Sequence, residues 1–297
     1  MEAGLTLVLD GPEAGVRQAP ALPLDRLLVG RPVDQALELL PRLFSLCGMA
    51  QGLAFRLSLG LPPDPASDPG REILRDHVAR LCLDWPARLG LAAVALPPGW
   101  QAGGPALARA LTGGALPRDA AGLHDWMARG GGVAPVLAGI AAAFPAVGPG
   151  VDLPLVTPET ALSAEALENS VAARRVDDPL VAAVARDWGR GPLWQAMARL
   201  VDALAVIAGD LPAPVVLADG TAVVAAARGA YALRARAEAG RIVAFARRTP
   251  TDHLVAPGGS LERLMRAFAP LTPARAELLA SVLDPCLPVT VRETADA

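Results

Sequence analysis

The feature that most restricts this chain is a change of hydrophobic period. Residues 33–208 place apolar side chains mainly at helical spacing, residues 215–247 alternate every second position, and helical spacing returns after residue 260. That order predicts an α+β fold, mainly helical, with a small antiparallel sheet or hairpin near residues 215–247. Expected helices cover residues 32–40, 48–59, 71–88, 124–128, 136–143, 159–170, 192–208, 260–269 and 273–283, the last capped by Thr272. Residues 5–9 read as a strand, followed by a Gly/Pro-rich stretch to residue 24. Strands are expected at 215–217, 222–226, 230–238 and 241–247, with Glu238-Ala239-Gly240-Arg241 as a hairpin turn and a loop over 250–259. Residues 99–150 are rich in alanine, glycine and proline and define no clear organisation. The whole of 1–297 is taken as one domain: a strand region (1–24), a helical body (30–210), a hairpin segment (215–250) and C-terminal helices with an Asp-Pro-Cys motif (258–297).

Composition removes several function classes. With 297 residues and 53% hydrophobic content the chain can bury a sizeable core. A net charge of -3, with basic residues scattered, leaves no electrostatic footprint for nucleic acid. Every basic residue is arginine, so Schiff-base lysine chemistry and the phosphate loop ending in Gly-Lys-Ser/Thr are both excluded. Residues 1–10 lack the basic and apolar regions of a signal peptide, and prolines and glycines interrupt the charge-free run at 130–151. The cytoplasm is expected, without a membrane span. G-x-S-x-G, H-E-x-x-H and a dinucleotide glycine motif are all missing.

Three cysteines, Cys47, Cys82 and Cys286, form no CxxC pair, which argues against a disulfide framework and against a complete zinc site. Cys82 lies on the apolar stripe of the 71–88 helix and reads as a small core residue. His77 shares that stripe without a second ligand three or four residues away, so it reads as a packed histidine. His124 and His253 carry no recognisable pattern, and Asp125 and Asp187 read as helix-surface carboxylates.

Three segments nevertheless match one family in the same order. Gly30-Arg31-Pro32 followed by Arg42-Leu43-Phe44-Ser45-Leu46-Cys47-Gly48-Met49-Ala50 resembles the segment that leads to the CGxC motif of the nickel-iron hydrogenase large subunit. Ala227-Arg228-Gly229, the hairpin and Thr249-Pro250-Thr251 resemble its PRG segment, hairpin and V-P-S/T turn. Asp284-Pro285-Cys286 stands where that family has DPCxxCxxH. A large-subunit relative of this size, with Leu83-Asp84-Trp85-Pro86, looks like the HupK family of hydrogenase expression proteins.

The departures matter as much. Cys47 and Cys286 match the two terminal nickel ligands, but Ala50 and Val289 replace the two bridging thiolates, and neither side chain can bind a metal. Arg292 replaces the final histidine, and the RxEGH segment that carries a proton-transfer glutamate has no counterpart. The resemblance therefore implies no catalytic residue, no hydrogenase activity and a maturation scaffold or chaperone. Cys47 and Cys286 would be its metal-binding thiolates, and Arg228, Pro250 and Thr251 would surround diatomic ligands. The implied cargo is a transient iron-dicyano-carbonyl unit, Fe(CN)2CO, with nickel and the absence of any metal both left open. Implied partners are a HypC-like maturation chaperone and the hydrogenase large-subunit precursor. The rival reading is a metal-free large-subunit mimic that recruits or protects maturation chaperones, its cysteines merely packed.

Overall fold

The computed structural model describes residues 4–294, with Pro12, Ala21, Phe44, Ser45 and Arg118 excepted. Parts of the expectations above fall outside the described residues: 1–3, 12 and 21 of the N-terminal region, 44 and 45 of the first cysteine motif, and 295–297 of the tail.

Helices dominate, and two small sheets flank them among the described residues. Strands β1 (Leu5–Asp10), β2 (Glu13–Gln18) and β7 (Val289–Glu293) form one sheet in the order β2-β1-β7, with β1 antiparallel to β2 and parallel to β7. Leu5, Leu7 and Leu9 alternate inward along β1 and are buried, as a half-buried strand requires. The second sheet is an antiparallel meander of β3 (Val215–Val216), β4 (Ala222–Ala226), β5 (Gly229–Glu238) and β6 (Arg241–Arg248). Its β5–β6 turn puts Ala239 at φ 48° and Gly240 at φ 75°, the paired left-handed conformations of a two-residue hairpin.

Two cores result. Helices Val33–Arg42 and Gly48–Ser58 lie on the second sheet, closing Leu40, Ala54 and Phe55 against Val224, Tyr231 and Leu233. The larger core surrounds the helix Pro192–Ile207, which is buried on all sides over its first three turns. Helices Pro69–Ala79, Ala134–Ala143, Pro179–Trp188 and Pro273–Leu283 pack about it. The predicted 71–88 helix is real but not uniform: it is α over Pro69–Ala79, widens to a π turn over Arg80–Asp84, and resumes as Trp85–Arg88. Pro86, which has no amide hydrogen, sits in the first turn of the resumed helix, where no intrahelical donor is required. Cys82 is fully buried in the larger core.

Several expectations fail. Residues 159–170 form turns rather than a helix, because their polar side chains are taken by tertiary partners. Glu168 accepts from Gln195 and Ser260, Asn169 bonds both backbone groups of Ala230, and Ser170 caps the helix Val171–Arg174. The Gly/Pro-rich stretch contains β2, and β7 follows the Asp-Pro-Cys motif; both strands are specified by pairing with β1, which local sequence does not encode. The loop at 250–259 begins with a short helix, Pro250–Leu254, and helices Pro105–Thr112 and Pro179–Trp188 were unforeseen. Among the described residues, no helix is long and apolar enough to cross a membrane.

Candidate functional site

Two left-handed residues place the two outer cysteines. Cys47 adopts φ 57° immediately before the helix Gly48–Ser58, a conformation that disfavours a side chain and that must be held by its surroundings. What holds it is distant in sequence: the Glu72 carboxylate accepts from the amides of Met49 (3.0 Å) and Ala50 (3.4 Å), neutralising the start of that helix. Burial raises the Glu72 carboxyl above its ordinary range, against the pull of those two amides. At the other end of the chain, helix Pro273–Leu283 stops at Asp284, φ 53°, and the chain turns through buried Pro285 to Cys286.

The partner of Cys286 comes from a capping box. Thr249 and Asp252 exchange side-chain to backbone hydrogen bonds, Pro250 occupies the first helical position, and Thr251 is thereby fixed toward Cys286. The Cys286 amide donates to Thr251 Oγ1 at 2.8 Å, and the same hydroxyl lies 2.9 Å from Cys286 Sγ. Since the oxygen already accepts from the amide, its own proton is free to point at the sulfur.

Arg228 is held from below and above. It occupies the two-residue turn between β4 and β5, and its side chain is almost fully buried. Arg174 donates to the carbonyls of Ala226 and Gly229 on either side of it, both at 3.0 Å. A Cβ on Gly229 would lie 2.6 Å from the carbonyl oxygen of Asn169, so only glycine allows this approach. The guanidinium reaches Cys47 Sγ at 3.6 Å, Asp76 at 3.0 Å and Asp284 at 3.2 Å. Asp284 is also paired with Arg80 (2.6 Å) and Arg199 (3.1 Å), and Arg199 returns to Asp76 at 2.9 Å. Burial would raise the Asp284 carboxyl, but Arg228, Arg199 and Arg80 outweigh it and hold it down to about 2.

All five expected residues, Cys47, Arg228, Pro250, Thr251 and Cys286, border one cavity of about 180 Å³. It has room for a fragment of a few heavy atoms, given about 30 Å³ per water in the liquid. Leu22, Leu43, Leu46 and Leu287 add apolar wall, and Gln51, Tyr231 and Arg247 add a polar corner. Burial pushes the Cys47 thiol up to about 12, and the adjacent Arg228 only partly offsets this. Among the described residues, no group of three or more His, Cys, Asp or Glu side chains is arranged to hold a metal ion. The replaced positions are turned to other uses: Ala50 is buried in the second core, and Val289 has become the first residue of β7.

The histidines lie elsewhere. His77 is fully buried and pairs through Nε2 with Asp202 at 2.8 Å, as a packed residue should, while His124 stacks on Trp188 at 4.6 Å. His253 is buried against the carbonyls of Glu165 and Ala161. Sequence reasoning missed Asp76, Arg199, Glu72, Gln51 and Tyr231. Arg199 did leave a trace: an arginine within an otherwise almost wholly apolar helix has to find a buried partner.

Known proteins fit this arrangement. No family profile matches the chain. It is 48% identical over its full length, and that of its relative, to the hydrogenase expression/formation protein HupK of Rhodobacter capsulatus. A shorter match, 45% identity over 73 residues covering 22% of this chain and 19% of the relative, is to the hydrogenase expression/formation protein HoxV of Cupriavidus necator. Among solved structures, the [NiFeSe] hydrogenase of Desulfovibrio vulgaris Hildenborough superposes with TM-scores of 0.54 and 0.55 at 13% and 12% identity, covering 97% and 93% of this chain and 99% and 93% of that one. At such identity the likeness speaks for the fold alone, and that fold is the hydrogenase large subunit's. Full-length identity near one half goes further: the chain belongs to the HupK family of hydrogenase expression/formation proteins.

Proposed function

We propose that the chain is a non-catalytic accessory protein of nickel-iron hydrogenase maturation, and that Cys47 and Cys286 hold an Fe(CN)2CO unit transiently before its transfer to the large-subunit precursor. The name of its full-length relative and the large-subunit fold support the maturation role. The finer reading is carried by one observation: two cysteines from opposite ends of the chain border the same cavity, each with a hydrogen-bonding side chain against its sulfur.

Chemically, two soft thiolates suffice to hold an iron fragment that brings its own strong-field ligands, whereas four would bind a bare metal permanently. Release is the point of a carrier. Loading must expel the Cys47 proton, and a bound cation supplies the attraction that does so. In the enzyme family this pair belongs to nickel, so nickel is the rival cargo. A HypC-like chaperone is the expected donor of the fragment and the cytoplasm the expected setting.

Anaerobic co-expression with the hydrogenase maturation proteins tests this. The purified chain should carry iron and show C≡N and C≡O stretching bands, and Cys47→Ser/Cys286→Ser should lose both and impair hydrogenase maturation. Absence of iron, together with undiminished maturation in the double variant, would instead establish the metal-free mimic that recruits or protects chaperones. That second reading draws on the Cys47 thiol, which burial keeps protonated. Hydrogen-dependent reduction of methyl viologen should be absent throughout, because no pair of bridging thiolates is left to join two metals.

A further inference from the structure

Both side chains that the family resemblance assigns to the diatomic ligands already hold other partners. The Thr251 hydroxyl accepts from the Cys286 amide and faces the Cys286 sulfur, while Arg228 divides its nitrogens among Asp76, Asp284 and Cys47. The rest of the wall offers the acceptor end of a small anion a donor less engaged than these two.

The wall supplies it at the corner beyond Cys47. Gln51 lies one helical turn after Cys47, its backbone amide donating to the Cys47 carbonyl, and both residues border the cavity. Its side-chain Nε2 donates to the Leu46 carbonyl at 3.3 Å, which fixes the amide's orientation and turns Oε1 toward the sheet. Two donors then converge on that one oxygen: the hydroxyl of fully buried Tyr231 and Nη1 of Arg247, each at 3.4 Å. Both distances are well beyond the favoured range for such bonds, near 2.7–3.0 Å. Burial pushes the Tyr231 phenol up to about 12 despite Arg247 beside it, so it remains a donor at any physiological pH.

We propose that Tyr231, with Gln51 as its resting acceptor and the Arg247 charge beside it, forms a subsite that takes the terminal nitrogen or oxygen of a small anion in the Cys47–Cys286 cavity. As the cyanide of a bound iron fragment this rests on the function proposed above; as a free linear anion it does not. Occupation exchanges the long Tyr231–Gln51 hydrogen bond for a charge-assisted one to the anion, while the neighbouring sulfurs remain available to metal.

Two arms separate the sources. In the metal-free chain, calorimetric titration with thiocyanate should show saturable binding that persists in Cys47→Ser/Cys286→Ser and weakens about tenfold in Tyr231→Phe, the loss of one hydrogen bond to a charged acceptor. Gln51→Glu, which puts a carboxylate at the corner, should abolish binding, and thermal melts should show both variants folded. In the anaerobically loaded chain, Tyr231→Phe should shift one C≡N stretching band and leave the C≡O band in place. A response only in the first arm assigns the corner to free anions, and one only in the second to the fragment's cyanide. If neither thiocyanate affinity nor the C≡N band responds to Tyr231→Phe or Gln51→Glu, the subsite does not exist. A chain that carries no iron defeats the carrier function but leaves the first arm decisive.

Discussion

Arg228 shows how one side chain serves stability and site together. It lies between two carboxylates and a thiol with almost no access to water, so its charge is compensated only by Asp76 and Asp284. Removing one member of a buried ion cluster strands the others in a medium that cannot solvate them. Arg228→Met should therefore cost about 3–5 kcal/mol in chemical denaturation. By contrast Arg234→Met, which breaks an ion pair half-exposed on both sides, should cost about 0–1 kcal/mol. The same Arg228 substitution removes the cation that opposes burial at Cys47, so alkylation of that thiol should slow further. Equal losses for the two arginine variants would show that the cluster is not what anchors this turn.

At the level of elements, the lost ligand positions have been absorbed into secondary structure. Ala50 sits inside the helix that closes the second core, and Val289 opens β7, where it pairs with Leu5 and borders a separate cavity with Arg80 and Glu277. Restoring sulfur there restores composition but not geometry. Ala50→Cys/Val289→Cys should gain no stable second metal when co-expressed with the maturation proteins, read as metal content per chain; two tightly held metals would refute this. Much at this scale was legible in the sequence. The meander over residues 215–248 and the helices at 33–42, 192–207 and 273–283 follow from uninterrupted periodicity, with Thr272 as the cap. Residues 159–170 misled because Leu162 and Ala166 share helical spacing, while Glu168 and Asn169 bond to elements remote in sequence and Ser170 caps the next helix. β2 and β7 were illegible for a related reason: each is a strand because β1 lies beside it.

For the whole molecule, the buried charges set the acid limit. Burial lowers the His77 pKa, so the unfolded chain binds a proton near pH 6.5 that the fold resists, and stability falls as pH drops through that value. Asp284, held to about 2 in the fold against an ordinary value of 3.8, contributes stability that is present above pH 4 and is lost as pH falls toward 2. Asp202, lowered well below its usual range because Arg174 and His77 outweigh its burial, acts in the same direction. Melting temperature should thus decline in two stages, gently below pH 6.5 and steeply below 4, and His77→Gln should flatten the first stage. A melting temperature unchanged between pH 7 and 5 would contradict the first stage.

By itself the sequence determined the fold class and the order of the main helices and the meander, because hydrophobic period and caps are local properties, while its resemblance to the hydrogenase large subunit implied which thiols lack partners. Only the tertiary structure decided that Cys47 and Cys286 share a cavity, that Arg228 and Thr251 already serve the two sulfurs, and that Tyr231 and Arg247 crowd one amide oxygen. Those facts depend on contacts between residues far apart along the chain, and no local pattern specifies the side-chain geometry that long-range packing creates.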